Sequence, residues 1–263
     1  MVDTLSVPLL KELVPGGVEY GSVLLVEFEP QSCWYDAAYT IAAQALRNKL
    51  KTDVHIFQHI PTEVRADLTR LGLDLKALEE ADLFRFIDSY TVQIGIGMPD
   101  VPKGSDAFKT QSVKMEDWGK SVAAQIGTVT QESEKYRLHI DDNTAVLTRY
   151  NSEHDVVDYW RTRIIPLYKS RKSVLVNAVA LGTASDYFYK QQESMCDMII
   201  DFRCREVDDR MEHYVRVRSI RGKSVDSGWH RLQLLDNGEV ALDVRPTRKE
   251  QLGMGGWLKG PKK

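Results

Sequence analysis

Apolar runs alternate with longer amphipathic stretches along most of this chain. The run VLLVEF, Val23–Phe28, follows Gly21 and is short, apolar and partly β-branched, which predicts a buried strand. Residues 36–50 are alanine-rich with helical spacing, and Asp36 is the expected cap. The opening unit is therefore strand, short loop, helix. VHIFQHI over residues 54–60 predicts a second strand, and LFRFI over 83–87 a third. Between them TEVRADLTRL, residues 62–71, predicts a helix begun at Thr62, although Arg65 stands where a full capping box carries an acidic or amide side chain.

Residues 95–110 carry glycines and prolines without periodicity and predict a loop. A weak helical pattern follows over 115–126, and residues 145–147 are a short strand candidate. Residues 155–168 predict a helix and SVLVNAV, residues 173–179, another apolar strand. Residues 198–202, 213–218, 231–235 and 240–244 read as late strands, with Asp236-Asn237-Gly238 a strong hairpin turn between the last two. Strands alternating with helices, followed by hairpin strands, predict an α/β fold whose mostly parallel sheet has an antiparallel extension.

Composition narrows the class. The chain has 263 residues, 43% of them hydrophobic, and a formal net charge of -3, enough for one large α/β domain with a substantial core. The near-neutral balance gives no electrostatic reason to expect nucleic acid or an anionic membrane surface. The start lacks a basic segment followed by a long apolar run, and no apolar stretch approaches a membrane span, so a cytoplasmic protein is expected. Cys33, Cys196 and Cys204 are scattered and odd in number, which suits neither a disulfide framework nor a zinc site. One domain is expected over residues 1–245, with a basic, flexible tail over 246–263.

Three segments carry a family resemblance: residues 16–46 (GGVEYGSVLLVEFEPQSCWYDAAYTIAAQAL), 62–88 (TEVRADLTRLGLDLKALEEADLFRFID) and 213–242 (HYVRVRSIRGKSVDSGWHRLQLLDNGEVAL). Together, in this order, they resemble the KaiC-like branch of the RecA superfamily of P-loop ATPases, with an archaeal source implied. The resemblance implies a RecA-like central, mostly parallel sheet flanked by helices, a C-terminal antiparallel hairpin extension, and subunits assembled with nucleotide between them.

Set on that pattern, the active-site positions are altered. A phosphate-binding loop has the form G-x-x-x-x-G-K-S/T: its glycines let backbone N–H groups curl around phosphates, its lysine offsets their charge and its hydroxyl binds magnesium. Here the loop is Phe28-Glu29-Pro30-Gln31-Ser32-Cys33-Trp34-Tyr35. Phe28 and Cys33 stand at the glycines, Trp34 at the lysine and Tyr35 at the hydroxyl residue. Glu29 adds negative charge, and the rings of Trp34 and Tyr35 are expected to fill the phosphate volume. The family's acidic pair after the second strand is replaced by Gln58 and His59. The strand candidate at residues 145–147 runs into Thr148-Arg149, so no Asp is expected at the metal position. In the closing segment, Arg221 and Gly222 match a motif that the family uses across the subunit boundary, with Ser219 at its lysine position. Arg221 either acts on a neighbour's nucleotide or pairs with a local carboxylate.

Other polar groups read more simply. His55 and His59, both placed on the second strand, would lie about 13 Å apart, too far to share an ion, so no metal site is expected. Glu153-His154-Asp155 reads as a helix start and Trp229-His230 as packing beside a turn.

The resulting expectation is a catalytically inactive KaiC/RecA-like subunit that regulates or scaffolds, as a homo-oligomer or with an active paralogue. No cofactor is expected, although ATP binding is left open. The alternatives are a non-hydrolysing nucleotide or small-ligand sensor and a DNA-associated recombinase paralogue.

Overall fold

Period-two alternation in one strand sets up the whole layer structure. The computed structural model describes residues 4–90, 135–149 and 151–243. In strand β3 (Val23–Phe28), Leu24, Val26 and Phe28 face one hydrophobic cluster, while Val23 and Leu25 face another. Such a strand must be covered by helices on both faces.

The chain begins with β1 (Thr4–Leu5), α1 (Pro8–Leu13) and β2 (Val18–Glu19), of which β1 and β2 form a small antiparallel pair. After β3 come α2 (Trp34–Arg47), β4 (Thr52–Ile56), α3 (Pro61–Arg70), α4 (Leu75–Glu80) and β5 (Phe84–Asp88). Then β6 (Leu138–Asp141) leads into a 3-10 turn at Thr144–Arg149. A long helical stretch follows: α5 (Glu153–Tyr159), a π-type turn at Trp160–Ile164, and α6 (Ile165–Ser170). The remainder is β7 (Val174–Ala180), α7 (Asp186–Met195), β8 (Met198–Val207), β9 (Arg210–Ile220), β10 (His230–Leu234) and β11 (Val240–Leu242).

The main sheet has nine strands in the order β11-β10-β9-β8-β3-β7-β6-β4-β5. From β5 to β8 every pair is parallel; from β8 to β11 every pair is antiparallel. This is the parallel sheet with antiparallel extension that the sequence predicts. One face is covered by α1, α2 and α3 and the other by α5, α6 and α7, whose Leu10, Ala42 and Leu68, and Val156, Ile165 and Phe188, belong to the two clusters.

Helix α2 is buried on nearly all sides, which its alanines permit by letting neighbours approach closely. Its polar side chains bind other elements: Gln44 Oε1 accepts from Leu9 N at 2.9 Å, Thr40 Oγ1 accepts from Val240 N at 2.9 Å, and Arg47 pairs with Glu239 at 2.6 Å. The last two contacts fix the β10–β11 hairpin, whose turn places Gly238 at φ 87°, a backbone region open to glycine.

Several expectations need correction. Asp36 lies in the first turn of α2 and Cys33 is its cap residue; α3 begins at Pro61 after Ile60, so neither Asp36 nor Thr62 caps. Strand β4 ends at Ile56, so His59 lies beyond it. Residues 145–147 belong to the 3-10 turn and not to a strand. The expected loop over 95–110, the weak helix over 115–126 and the tail over 246–263 lie outside the described residues.

Candidate functional site

The crevice at the carboxyl ends of β3, β4, β6 and β7 is where an α/β sheet of this kind holds a ligand. Here side chains of the chain itself occupy it. Phe28 closes β3 and Trp34 opens α2, so the connecting loop makes one short bend. Its polar groups find partners inside the chain. Glu29 N donates to Phe202 O at 3.0 Å and Ser32 N to Glu29 O at 2.8 Å. Ser32 Oγ donates to the same Glu29 O at 2.6 Å. The Glu29 carboxylate accepts from Cys204 N at 2.8 Å and lies 3.6 Å from Arg203 Nε. Pro30 and Gln31 form the exposed tip.

Trp34 is 0% exposed. Its ring packs against Phe28 and Phe202, at centroid distances of 6.1 and 5.3 Å, and its indole N–H donates to Asp142 O at 3.0 Å. Tyr35 lies edge-on to Phe28 and His59 and donates to Gln58 Oε1 at 3.2 Å. Burial, with Asp36 adding, pushes the Cys33 thiol up to about 12, and burial, with Asp142 adding, raises the Tyr35 phenol. Neither group ionises near neutrality. A pocket of about 120 Å³ remains, lined by Phe28, Tyr35, Gln58, Asn143, Arg149 and Thr183 among others.

The strand that reaches this edge between β4 and β7 is β6, and it ends in Asp141 with Asp142 next. The expectation that no Asp ends the strand here is thereby corrected. Both carboxylates are turned inward. Asp142 Oδ1 accepts from Phe57 N at 2.8 Å, while Oδ2 accepts from Gln58 N at 3.3 Å and lies 3.3 Å from His59 Nδ1. Gln58 Oε1 also accepts from Asn143 Nδ2 at 2.5 Å, and Asn143 Oδ1 accepts from Ala180 N at 3.2 Å. Gln58 and His59, predicted from sequence, thus belong to the same cluster as Tyr35. Asp142 and Asn143 are the members that sequence reasoning missed.

Behind this cluster lies a buried polar seam. Parallel register sets Asp53 beside His139 and His55 beside Asp141. Asp141 Oδ1 lies 2.9 Å from His55 Nδ1 and 3.0 Å from His139 Nε2. Asp53 lies 3.6 Å from His139 Nδ1 and receives Arg137 through Nε at 2.9 Å and a terminal nitrogen at 2.6 Å. Burial disfavours the charged form of His139, but Asp141 and Asp53 outweigh it and lift the imidazole to about 9. Burial raises Asp141, but the two histidines prevail and lower it to about 2. His55 is lowered, burial outweighing Asp141. With Arg137⁺ and His139⁺ facing Asp53⁻ and Asp141⁻, the seam balances its own charge.

Arg221 and Gly222 sit at the opposite end of the sheet, just past β9. Arg221 lies 3.2 Å from Asp197 Oδ1 and donates to Cys196 O at 3.1 Å. Its side chain is 58% exposed. Gly222 turns the chain at φ 72°. With Lys169, Lys223, Glu19 and Tyr20, Arg221 lines a pocket of about 290 Å³. Of the two readings of Arg221, the structure contains the local carboxylate pairing.

Sheet order, helices on both faces and a strand–loop–helix unit at the central crevice define a RecA-like α/β domain of the P-loop type. Comparison with known proteins places it further. The family described as "ATPase: KaiC" matches residues 44–243. The chain belongs to the KaiC family of ATPase domains, and the matched stretch begins after the altered loop. A UPF0273 protein of Pyrococcus horikoshii is 23% identical over 93% of this chain and 95% of its own length. A UPF0273 protein of Pyrococcus furiosus is 21% identical over 94% and 96%. Among solved structures, a KaiC-like protein of Pyrococcus horikoshii superposes with a TM-score of 0.67 at 13% identity, over 92% of this chain and 99% of that one. This last likeness supports the fold alone. No helix among the described residues is long and apolar enough to cross a membrane.

Proposed function

We propose that this KaiC-family chain does not hydrolyse nucleotide at its own site and acts through its surfaces, as a regulatory or scaffolding subunit assembling with itself or with an active paralogue. One observation carries the reading: Trp34, at the position of the phosphate-binding lysine, is fully buried with its N–H on Asp142 O. A triphosphate needs free N–H donors, a cation and open volume at that point. Two of the loop's N–H groups, those of Glu29 and Ser32, are already bonded to Phe202 O and Glu29 O, and the loop carries no cation and sets an indole ring in the space. Magnesium takes carboxylate and hydroxyl oxygens facing the phosphates. Asp141 and Asp142 face inward instead, toward imidazoles and backbone amides. The residues present do not fit a magnesium nucleotide, and no step of hydrolysis is assigned to them.

Phosphate release from purified chain in millimolar ATP and magnesium tests this, with Trp34→Ala as the matched background. Release equal in the two proteins is expected. Magnesium-dependent release by the natural chain, above that of the variant, would overturn the reading. Thermal melting with ATP and ADP is the companion measurement. A ligand at a hundred times its Kd stabilises by about 2.7 kcal/mol, so a binder raises Tm visibly. An unchanged Tm is expected. A rise without turnover would instead make the chain a ligand sensor, with the pocket beside Tyr35 and Arg149 as the seat.

A further inference from the structure

We propose that His55, His139 and Asp141 form a structural site for a zinc-like transition-metal ion, buried between β4 and β6. The site shares Asp141 with the crevice, whose reading above rests in part on that carboxylate being turned toward the two imidazoles. One ring nitrogen of His55, one of His139 and an Asp141 carboxylate oxygen lie within 4.8 Å of one another. Asp141 Oδ1 is 2.9 Å from His55 Nδ1 and 3.0 Å from His139 Nε2. Tetrahedral zinc with bonds of roughly 2.0–2.2 Å holds its donors about 3.4 Å apart, so the two Asp141 contacts must lengthen by a few tenths of an ångström while the imidazole nitrogens adjust within the 4.8 Å that bounds the set.

The surroundings resemble the support that metal-bound imidazoles require. A ligating histidine uses its second nitrogen on a carboxylate, hydroxyl or carbonyl, which fixes the ring. His55 Nε2 lies 2.7 Å from Ser89 Oγ. His139 Nδ1 faces Asp53 at 3.6 Å, and Arg137 clamps Asp53 in turn. All three donors stand on paired strands, where parallel register aligns His55 with Asp141 and the strand period puts His139 and Asp141 on one face. Their placement is therefore rigid. The ion takes the place of the proton that His139 otherwise holds toward Asp141, which is released to solvent, and two nitrogens and one oxygen favour zinc or cobalt over magnesium, which prefers oxygen ligands. The donors are buried, with His55 0% and Asp141 2% exposed. A site so enclosed holds strands together and does not present an open position to a substrate. The fourth position falls to the second Asp141 oxygen or an enclosed water.

Because the donors are enclosed, metal must be offered as the chain folds. The full chain is refolded from urea with equimolar Zn²⁺ or Co²⁺, desalted and analysed by mass spectrometry for metal content. About one equivalent retained is expected, with the intense visible absorption of four-coordinate Co²⁺ and a Tm at least about 5 °C above chain refolded with chelator. His59→Ala, which removes a half-exposed imidazole outside the donor set, should keep the full equivalent. His55→Ala should lose it. Less than about a tenth of an equivalent in natural chain that refolds, together with a Tm indifferent to metal, overturns the proposal even if His55→Ala does not fold. Equal retention by a folded His55→Ala overturns the donor set.

Discussion

The two ends of the sheet are built on opposite principles. At the carboxyl ends of β3, β4 and β6, polar and aromatic groups converge around the buried Trp34 and leave a pocket of only about 120 Å³. Trp34, Asp142, Phe57 and Gln58 satisfy one another there. At the other end, Arg221, Lys169 and Lys223 surround Asp197 and Glu19 on an open pocket, each cation at least 39% exposed. Groups bonded to one another in a closed interior fix a conformation but cannot respond to a ligand without breaking. Exposed ion pairs contribute little to stability and exchange partners at small cost. The difference is the one the proposed function calls for: recognition at the open end and surfaces, and a crevice that behaves as core.

If the crevice is core, its residues must behave as core on truncation. Trp34→Ala removes the largest ring of the cluster and its bond to Asp142 O. A loss of about 3–5 kcal/mol is expected in urea denaturation, the range for a buried tryptophan. A loss below about 1 kcal/mol would mean that the ring only visits the space. Asp142→Ala should come next. It leaves Phe57 N and Gln58 N without their acceptor, and a buried donor so orphaned costs about 1–3 kcal/mol. Hydrogen exchange at Phe57 is the local check: its amide should lose protection well beyond the global change.

These contacts also show what a sequence can and cannot disclose. The loop was legible because its residues are contiguous: Phe28, Cys33, Trp34 and Tyr35 stand at fixed spacings from VLLVEF, and each departs from what phosphate needs. Strands β3 and β7 and the start of β8 were legible for the same reason, since apolar runs report burial directly, and β9 was legible from Val215 and Val217 alternating with Arg216 and Arg218. Strand β6 was not. Its alternation is carried by Arg137, His139 and Asp141, whose charges imitate a solvated segment until their partners on β4 are known. Missing β6 displaced the strand candidate to residues 145–147, where apolar side chains serve a 3-10 turn. His55 was weighed against His59, near in sequence, whereas its neighbour in space is His139. Cross-strand register is a tertiary fact, and pattern along one chain segment does not contain it.

Near the carboxyl end of β3 lies Glu27, 4% exposed. Burial pushes its carboxyl up to about 7, Glu193 and Asp201 adding to the rise and Arg218, at 2.6 Å, opposing it. The folded chain therefore holds this proton more tightly than the unfolded one. Its contribution to stability is complete below the ordinary glutamate value and is lost as pH rises through about 7. Glu27→Gln cannot ionise and removes that loss. The variant's stability relative to the natural chain should rise by roughly 1–2 kcal/mol between pH 5 and pH 8, read from urea midpoints at each pH. A difference that stays flat would show that Arg218 keeps Glu27 ionised throughout, and this buried group beside the crevice would then resemble the ion pairs of the open end.

The smallest effect is expected at the open end, and it tests the contrast most sharply. Arg221→Ala removes an ion pair to Asp197 and a bond to Cys196 O. Asp197 keeps Lys169 at 3.0 Å and accepts from Val23 N at 3.0 Å, so no buried charge is stranded. With the guanidinium mostly in water, the loss in stability should stay within about 1 kcal/mol. What should change is association. If Arg221 serves contacts between subunits, its removal lowers the mass measured by light scattering, or weakens pairing with an active KaiC-family subunit, while the melting curve of the folded chain hardly moves. A fall of more than about 2 kcal/mol without any change in association would place Arg221 among the groups that hold the fold, and the two ends of the sheet would no longer differ in kind.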